Sequence, residues 1–289
     1  MEAGLISGKT KVCGIIGDPI EHTMSPVMHN AAFRKLGLDY VYLAFPVRRE
    51  ELDKAVAGVR ALNIRGLNVT IPHKVAIIPF LDKLDPLAEK IGAINTIVNE
   101  GGVLTGYNTD ATGFLRALLE RGIKPEGKKA VILGAGGAAR AISFILAERG
   151  ASMVILNRHS ARAEDLARRI VQFSPEEVKA LALNKENLKK TLAKADILIN
   201  TTSLGMVPVV DETLVPAELL TKRLIVFDII YNPVKTRLLR EAETAGAQTI
   251  NGLDMLVWQG ALAFEKWTGR KAPFEVMKSE AIKALEHEN

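Results

Sequence analysis

Gly134-x-Gly136-x-x-Ala139 follows a short apolar run and opens a helix-like segment, and a second apolar run follows that segment. This strand, turn, helix and strand order has the length of a dinucleotide-binding unit. The first glycine makes the tight turn, the second lets backbone approach a pyrophosphate, and the small third residue lets helix pack on strand. The pyrophosphate would sit at the helix N-terminus, where free N–H groups and the helix dipole favour an anion. A site for NAD usually places Asp or Glu at the end of the second strand, whereas here Asn157 and Arg158 stand there. A guanidinium can pair with a 2′-phosphate, so the reading is NADP. The alternative is that Arg158 is a solvated surface charge.

Lys74 and Asp110 are the candidates for proton transfer. Lys74 follows the apolar run ending Asn68-Val69-Thr70-Ile71-Pro72, which places it at or near the start of a helix. A cation is electrostatically disfavoured there, a setting that suits a proton donor. Asp110 closes a strand in Thr105–Asp110 and could hold the ammonium. Each has a plainer reading: Asp110 as the N-cap of the helix that follows, Lys74 as a solvated lysine. Thr23 and Ser25 put two hydroxyls beside Pro26. Ser25 and Pro26 make a good N-cap and first helical residue, and two hydroxyls at a helix N-terminus can also receive a carboxylate.

The elements that must position these groups alternate. Strands are expected at Val12–Ile16, Tyr40–Pro46 and Gly66–Thr70, with helices at Ser25–Leu36 and Arg49–Leu62. Helical material broken by Pro79 and Pro86 is expected from about His73 to Lys90, then a hairpin of Ile94–Val98 and Val103–Tyr107. A helix over Thr112–Arg121 leads to the glycine turn. Beyond it, helices are expected at Ser160–Phe173, Lys185–Ala193, Val215–Leu220 and Lys235–Ala245. The strands there are Ile197–Asn200, Leu224–Asp228 and Gln248–Ile250. The pattern after Gly252 is helical only, at Asp254–Thr268 and Pro273–His287. The fold class is therefore α/β in two domains. Residues 1–111 and 253–289 form an N-terminal α/β substrate domain with a mainly parallel sheet, and 112–252 a Rossmann-type NADP domain inserted in the middle, with a cleft expected between them.

Composition narrows the function classes. With 48% hydrophobic and 25% charged residues the chain is ordinary globular protein, and no apolar run approaches a membrane span. MEAGLISGKTK lacks the apolar core of a signal peptide, so a cytoplasmic location and no membrane partner are expected. The single Cys13 and five histidines without HExxH spacing argue against a metal site. The net charge of +5 comes from scattered Lys and Arg with 5% aromatics and no basic arm, which argues against nucleic acid and for small anionic ligands.

At this point the motifs HTMSPVMHN, GLNVTIPHK, GAINT, GYNTD, GAGGAAR, NR, NTTSLGM, DIIYNP and NGLDMLVWQGA stand in one order between Gly17 and Gln259. In them the chain resembles the shikimate dehydrogenase family, the NADP-dependent enzymes of the shikimate pathway that serves aromatic amino acid biosynthesis. The resemblance implies that Lys74 and Asp110 are the catalytic pair for reversible NADPH-dependent reduction of 3-dehydroshikimate to shikimate. It implies that Thr23 and Ser25 hold the ring carboxylate and that Asn68, Thr70, Asn95, Tyr231 and Gln259 bind carboxylate or ring hydroxyls. On the cofactor side it implies Gly134, Ala135, Gly136, Gly137 and Ala138 at the pyrophosphate, and Asn157 and Arg158 at the 2′-phosphate. Thr201, Ser203 and Met206 would line the nicotinamide end, with Gly252 and Met255 nearby. Three positions depart from the family pattern: Thr23 stands for the usual Ser, Ala111 for the usual Gly, and His159 for a frequent Thr, where it could stack on adenine or touch phosphate. The partner is a small-molecule substrate, and a homodimer is compatible with the reading. A relative that also takes quinate and NAD is the first alternative, against which Arg158 speaks. A non-catalytic NADP-binding module is the second, against which the Lys74 and Asp110 pair speaks.

Overall fold

The computed structural model describes residues 6–288. Met1–Leu5 and Asn289, which fall in the range expected for the substrate domain, lie outside the described residues. The chain divides into two compact units, Met1–Gly113 with Val257–Asn289, and Phe114–Leu256.

The first unit begins with β1 (Lys11–Gly17), α1 (Ser25–Lys35), β2 (Tyr40–Pro46), α2 (Leu52–Ala61) and β3 (Gly66–Val69). It continues with β4 (Lys83–Leu84), α3 (Pro86–Ile91), β5 (Thr96–Glu100), β6 (Val103–Tyr107) and the first turn of α4 (Asp110–Glu120). The sheet runs in the order β2-β1-β3-β5-β6-β4. β1 pairs parallel with β2 and β3, and β4 pairs parallel with β6. β5 pairs antiparallel with β3 and β6. The β5–β6 turn places Gly101 and Gly102 at φ of 61° and 91°, the two left-handed positions that a tight hairpin demands. Ile16, Leu67, Val69, Ile97 and Leu104 from the strands bury with Val56 and Val59 of α2 in one apolar cluster.

The helical stretch expected from His73 to Lys90 is not a helix. Residues 71–77 form turns, Ile78–Phe80 a 3₁₀ turn, and β4 and α3 follow. Pro79 and Pro86 lack the N–H that a continuous helix would need. Pro86 instead opens α3, capped by the Asp85 side chain, which accepts from Leu87 N at 2.9 Å. Just before β4, the Asp82 carboxylate accepts from Leu104 N at 2.7 Å and ties the segment to β6.

The second unit holds the rest of α4, then β7 (Lys129–Leu133), α5 (Gly137–Glu148), β8 (Ser152–Asn157), α6 (Ser160–Ile170), β9 (Val178–Ala182) and α7 (Lys185–Leu192). β10 (Ile197–Asn200), β11 (Ile225–Asp228), α8 (Arg237–Thr244) and β12 (Gln248–Ile250) complete it. Its sheet, β12-β11-β10-β7-β8-β9, is parallel throughout. Read from β9, the order is 3-2-1-4-5-6, the doubly wound Rossmann arrangement, whose ligands bind where strand order reverses, here between β7 and β10. β7 and β10 are buried at nearly every residue, which is why they read as continuous apolar runs. The expected helix at Val215–Leu220 is only a 3₁₀ turn over Ala217–Leu219.

The last helices are α9 (Leu253–Thr268) and α10 (Phe274–Glu288), and from Val257 onward they belong to the first unit. α10 packs on α1. Trp267 of α9 is 1% exposed and donates its indole N–H to Ile97 O at 2.9 Å, while its own carbonyl accepts from the Arg65 guanidinium at 2.9 Å. A Cβ on Gly66 would overlap both the Trp267 indole and Ile97 O. Gly66→Ala is therefore expected to destabilise the protein by about 2 kcal/mol through overpacking, read as a lower urea midpoint at unchanged slope. An unchanged midpoint would show that the indole has room to move. Beside Trp267, the His29 ring stacks on Tyr42 at 4.4 Å, and burial pushes its pKa down to about 3, so it is neutral.

Candidate active site

In the first unit, Lys74 lies in the turns after β3 and Asp110 at the first residue of α4. The Lys74 ammonium donates to Asp110 Oδ2 at 2.5 Å, with side chains 16% and 4% exposed. No helix begins at Lys74, so the dipole argument does not apply there, and the cation is held by its carboxylate partner. Asp110 is not the cap of α4. The cap position is Thr109, whose carbonyl accepts from Gly113 N at 2.9 Å, and the Asn108 side chain closes the helix end, its Oδ1 accepting from Ala111 N at 3.2 Å. Both Asp110 oxygens are thereby left for other donors, one for Lys74 and one for Asn95 Nδ2 at 2.8 Å.

Asn95, 2% exposed, is the junction of the site. Its Nδ2 also lies 2.8 Å from Thr109 Oγ1 and 3.1 Å from Gln259 Oε1, so two N–H groups are shared among three acceptors, while its Oδ1 accepts from Thr109 N at 2.7 Å. Gln259 reaches it from α9, so the returning helices complete the site. Asn68, on β3, donates to Asn95 O and Thr96 Oγ1, both at 3.1 Å. Thr70, half-buried, follows β3 and donates its N–H to Ile16 O at 3.0 Å. Thr96 and Thr109 were not singled out by sequence reasoning. The GAINT and GYNTD motifs contained them, but only the register of β5 against β6 puts them beside Asn95.

Thr23 and Ser25 meet ahead of α1, the Thr23 hydroxyl donating to Ser25 Oγ at 3.2 Å. Ser25 is the first residue of α1 and not its cap. The cap position is Met24, which makes no side-chain bond to the helix, and the Ser25 N–H donates to Thr23 Oγ1 at 3.3 Å. The Ser25 hydroxyl is turned to Thr23 and not back onto the helix. Ala111 is buried within α4 in a conformation open to any L-residue, so the absence of glycine there costs no backbone freedom.

In the second unit the glycine turn has the division of labour its spacing demands. Gly134 has φ of 109°, and a Cβ there would stand 2.6 Å from Thr201 Oγ1. Gly136 is exposed, and a Cβ there would meet nothing within 4 Å. Ala139 is fully buried against the sheet. Gly136 caps α5 without a side-chain bond, and the first turn of that helix, which includes Gly137 and Ala138, carries no acidic residue. Ala135 is half-buried between them. A dinucleotide pyrophosphate fits this end: open at Gly136, positive by the helix dipole, with no side chain competing for the N–H groups. Arg158 and His159 are exposed after β8, and among the described residues no carboxylate pairs with Arg158. The Asn157 amide donates to His159 O at 3.0 Å, which leaves its Oδ1 for a ligand.

Thr201 hangs from the end of β10, its hydroxyl donating to Leu133 O at 2.6 Å. Ser203 is exposed and Met206 is 38% exposed, whereas Met255 is 6% exposed. Tyr231 is half-buried after β11. Gly252 donates to Ile230 O at 3.0 Å and presses on the Ile229 carbonyl, where no side chain fits.

Behind this loop Asp228 is fully buried and accepts from Thr236 Oγ1 at 2.7 Å, Asn200 Nδ2 at 3.0 Å and Ile230 N at 3.2 Å. Burial nevertheless raises its pKa to about 6. The folded state therefore holds the proton more tightly than the unfolded chain, whose carboxyl titrates near 3.8. The stability contributed by the protonated form is complete below that value and is lost as pH rises to about 6. Asp228→Asn should gain on the native protein by a few kcal/mol as pH is raised from 4 to 6. Urea unfolding of both proteins across that range checks it, and parallel stability curves would overturn it.

Residues 15–97 match the shikimate dehydrogenase substrate binding domain, 118–251 the shikimate/quinate 5-dehydrogenase domain, and 252–282 the shikimate 5′-dehydrogenase C-terminal domain. The shikimate dehydrogenase (NADP⁺) of Methanopyrus kandleri is 53% identical over 98% of this chain and 97% of its own. The chain belongs to the shikimate dehydrogenase family. A crystal structure of a shikimate dehydrogenase with NADP⁺ has a TM-score of 0.90 at 46% identity and covers 99% of each chain. A shikimate 5-dehydrogenase from Listeria monocytogenes, solved with shikimate and NAD, has a TM-score of 0.86 at 48% identity over 95% of this chain and 97% of its own. The family's α/β architecture with a Rossmann-type unit is the one described above. Among the described residues no helix is long and apolar enough to cross a membrane.

Proposed function

We propose that this protein catalyses the reversible NADPH-dependent reduction of 3-dehydroshikimate to shikimate, with Lys74 and Asp110 as its catalytic pair. The observation that carries the assignment is the part-buried Lys74–Asp110 ion pair, set among the amides of Asn68, Asn95 and Gln259 in a chain of this family. The cofactor, when bound, supplies the hydride that reduces the C3 carbonyl carbon. Lys74 donates the Nζ proton to the carbonyl oxygen as that carbon is reduced, and takes it back from the hydroxyl in the reverse direction. Asp110 holds the ammonium in place and bonds a substrate hydroxyl. Thr23 and Ser25 receive the ring carboxylate. Asn68, Thr70, Asn95, Tyr231 and Gln259 recognise the remaining oxygens, and an analogue lacking one of them leaves a buried group unpaired at a cost of about 1 to 3 kcal/mol.

The second unit holds NADP through Gly134–Ala138, with Asn157, Arg158 and His159 at the adenosine end and Thr201, Ser203, Met206, Gly252 and Met255 toward the nicotinamide. Domain limits at 1–111 with 253–289 and at 112–252 go with this division of labour. A cytoplasmic enzyme acting on a small anionic substrate, as a monomer or a homodimer, accords with the composition.

The test is shikimate with NADP, followed by nicotinamide absorbance and repeated with NAD and with quinate. A kcat/KM highest for shikimate with NADP is expected. Absence of turnover with every pairing would refute the assignment, and equal values for NAD would move the protein to the relaxed-cofactor alternative.

A further inference from the structure

We propose that Tyr42 is a positioning residue for this reaction: its buried hydroxyl heads a one-way chain of hydrogen bonds that ends on Asp110 and holds that carboxylate against Lys74. The inference rests on the function proposed above and adds a residue which that function does not itself require.

The direction of the chain follows from groups that have no choice. The backbone carbonyl of Asn95 can only accept, so the atom of Asn68 that faces it at 3.1 Å is Nδ2. Asn68 Oδ1 then faces the Tyr42 hydroxyl at 2.7 Å, and since a carbonyl oxygen cannot donate, Tyr42 does. The second Asn68 N–H goes to Thr96 Oγ1 at 3.1 Å. At the next amide, the Thr109 backbone N–H at 2.7 Å fixes which end of Asn95 is Oδ1. Thr96, already accepting from Asn68, donates its own proton to that oxygen at 3.1 Å. Asn95 Nδ2 then donates to Asp110 Oδ1 at 2.8 Å, and Lys74 to Oδ2 at 2.5 Å.

One path from Tyr42 thus runs through Asn68, Thr96 and Asn95 to a single carboxylate, with side branches at Asn95 O, Thr109 Oγ1 and Gln259 Oε1. Tyr42 and Thr96 are fully buried, and Asn68 and Asn95 are 3% and 2% exposed, so water does not dilute the chain. In such surroundings aligned hydrogen bonds polarise one another, and removing the first weakens the last. Tyr42 also stacks on His29, a contact its ring makes without the hydroxyl.

Tyr42→Phe keeps the ring and its stack and removes only the head of the chain. One neutral buried hydrogen bond corresponds to about a fivefold change in rate, so kcat for shikimate oxidation is expected to fall about fivefold while KM for NADP stays unchanged. Thr96→Val cuts the same chain further along and should cost about the same. Thr96→Ser keeps the hydroxyl and should retain the native kcat. The Tyr42→Phe, Thr96→Val double variant should lose no more than either single variant, because a chain already cut cannot be cut again. An unchanged kcat in Tyr42→Phe, or losses that multiply to about 25-fold in the double variant, would overturn the proposal.

A second readout needs no turnover. In protein labelled with ¹⁵N-asparagine, the side-chain amide resonances of Asn95 should shift in both Tyr42→Phe and Thr96→Val, and unmoved resonances in Tyr42→Phe overturn the chain. If the native protein fails to oxidise shikimate, the assigned reaction falls, and the Asn95 resonances still decide whether Tyr42 acts on Asp110.

Discussion

Lys74→Ala is expected to lose about 10³-fold in kcat for shikimate oxidation while its Kd for NADP stays within about twofold of the native value. Proton transfer by one positioned side chain contributes on this order, and the Lys74 ammonium has its place set by a 2.5 Å bond to a carboxylate that is itself 4% exposed. The residues proposed to hold NADP belong to the other unit, so binding of NADP measured by fluorescence titration should survive. Losing Lys74 also leaves the Asp110 charge without its cation, so thermal unfolding is followed in parallel and kcat is referred to folded protein. Turnover within about tenfold of native would remove Lys74 from the proton-transfer role.

Gly136→Ala should weaken NADP binding roughly 10- to 100-fold, the loss of one or two charge-assisted hydrogen bonds, and leave Tm within about 2 °C. The two halves of that expectation come from one observation. Gly136 has φ of −88°, which an alanine adopts without strain, and nothing of the protein lies within 4 Å of its Cβ position, so the fold is indifferent to the methyl group. The pyrophosphate is not, because the methyl occupies the space through which it reaches the N–H groups of α5. Gly134→Ala is the control with the opposite signature. There φ is 109° and Thr201 Oγ1 stands 2.6 Å from the new atom, so stability falls by about 2 kcal/mol. Native affinity in Gly136→Ala would place the anion elsewhere.

Much of this molecule is legible in its residues because burial writes itself into composition. Val12–Ile16, Ala130–Leu133 and Ile197–Ile199 are continuous apolar runs since both faces of those strands are covered. β4 and β9 are harder to see. β4 has two residues, and β9 is built from Val, Lys, Ala, Leu and Ala at an edge where none is fully buried, so neither propensity nor alternation marks it.

The site divides in the same way. Gly134, Gly136 and Ala139 have spacing that a turn imposes, and spacing is visible. The closure of the α4 end is not, because Asn108, Thr109 and Asp110 all carry side chains able to provide it. Which one does so depends on where the helix starts, and that decides whether Asp110 is free to hold Lys74. The turns around Lys74 were obscured by apolar residues that read as a helix until Pro79 and Pro86 interrupt it. Tyr42 lies in a strand of apolar neighbours, and nothing in YVYLAFP separates a hydroxyl that directs an amide from an aromatic that fills a core.

The return of α9 to the first sheet has a meaning for how the protein is made. Trp267, the residue that seats against Gly66 and ties to Ile97, is translated long after β3 and β5 have left the ribosome. Gln259, the partner of Asn95, is translated just as late. Residues 114–256 have their whole unit in hand before then, whereas the sheet that begins the chain waits for its last helices. Synthesis therefore finishes the middle of the protein first, and the Lys74–Asp110 pair gains its full surroundings only when the final helices emerge.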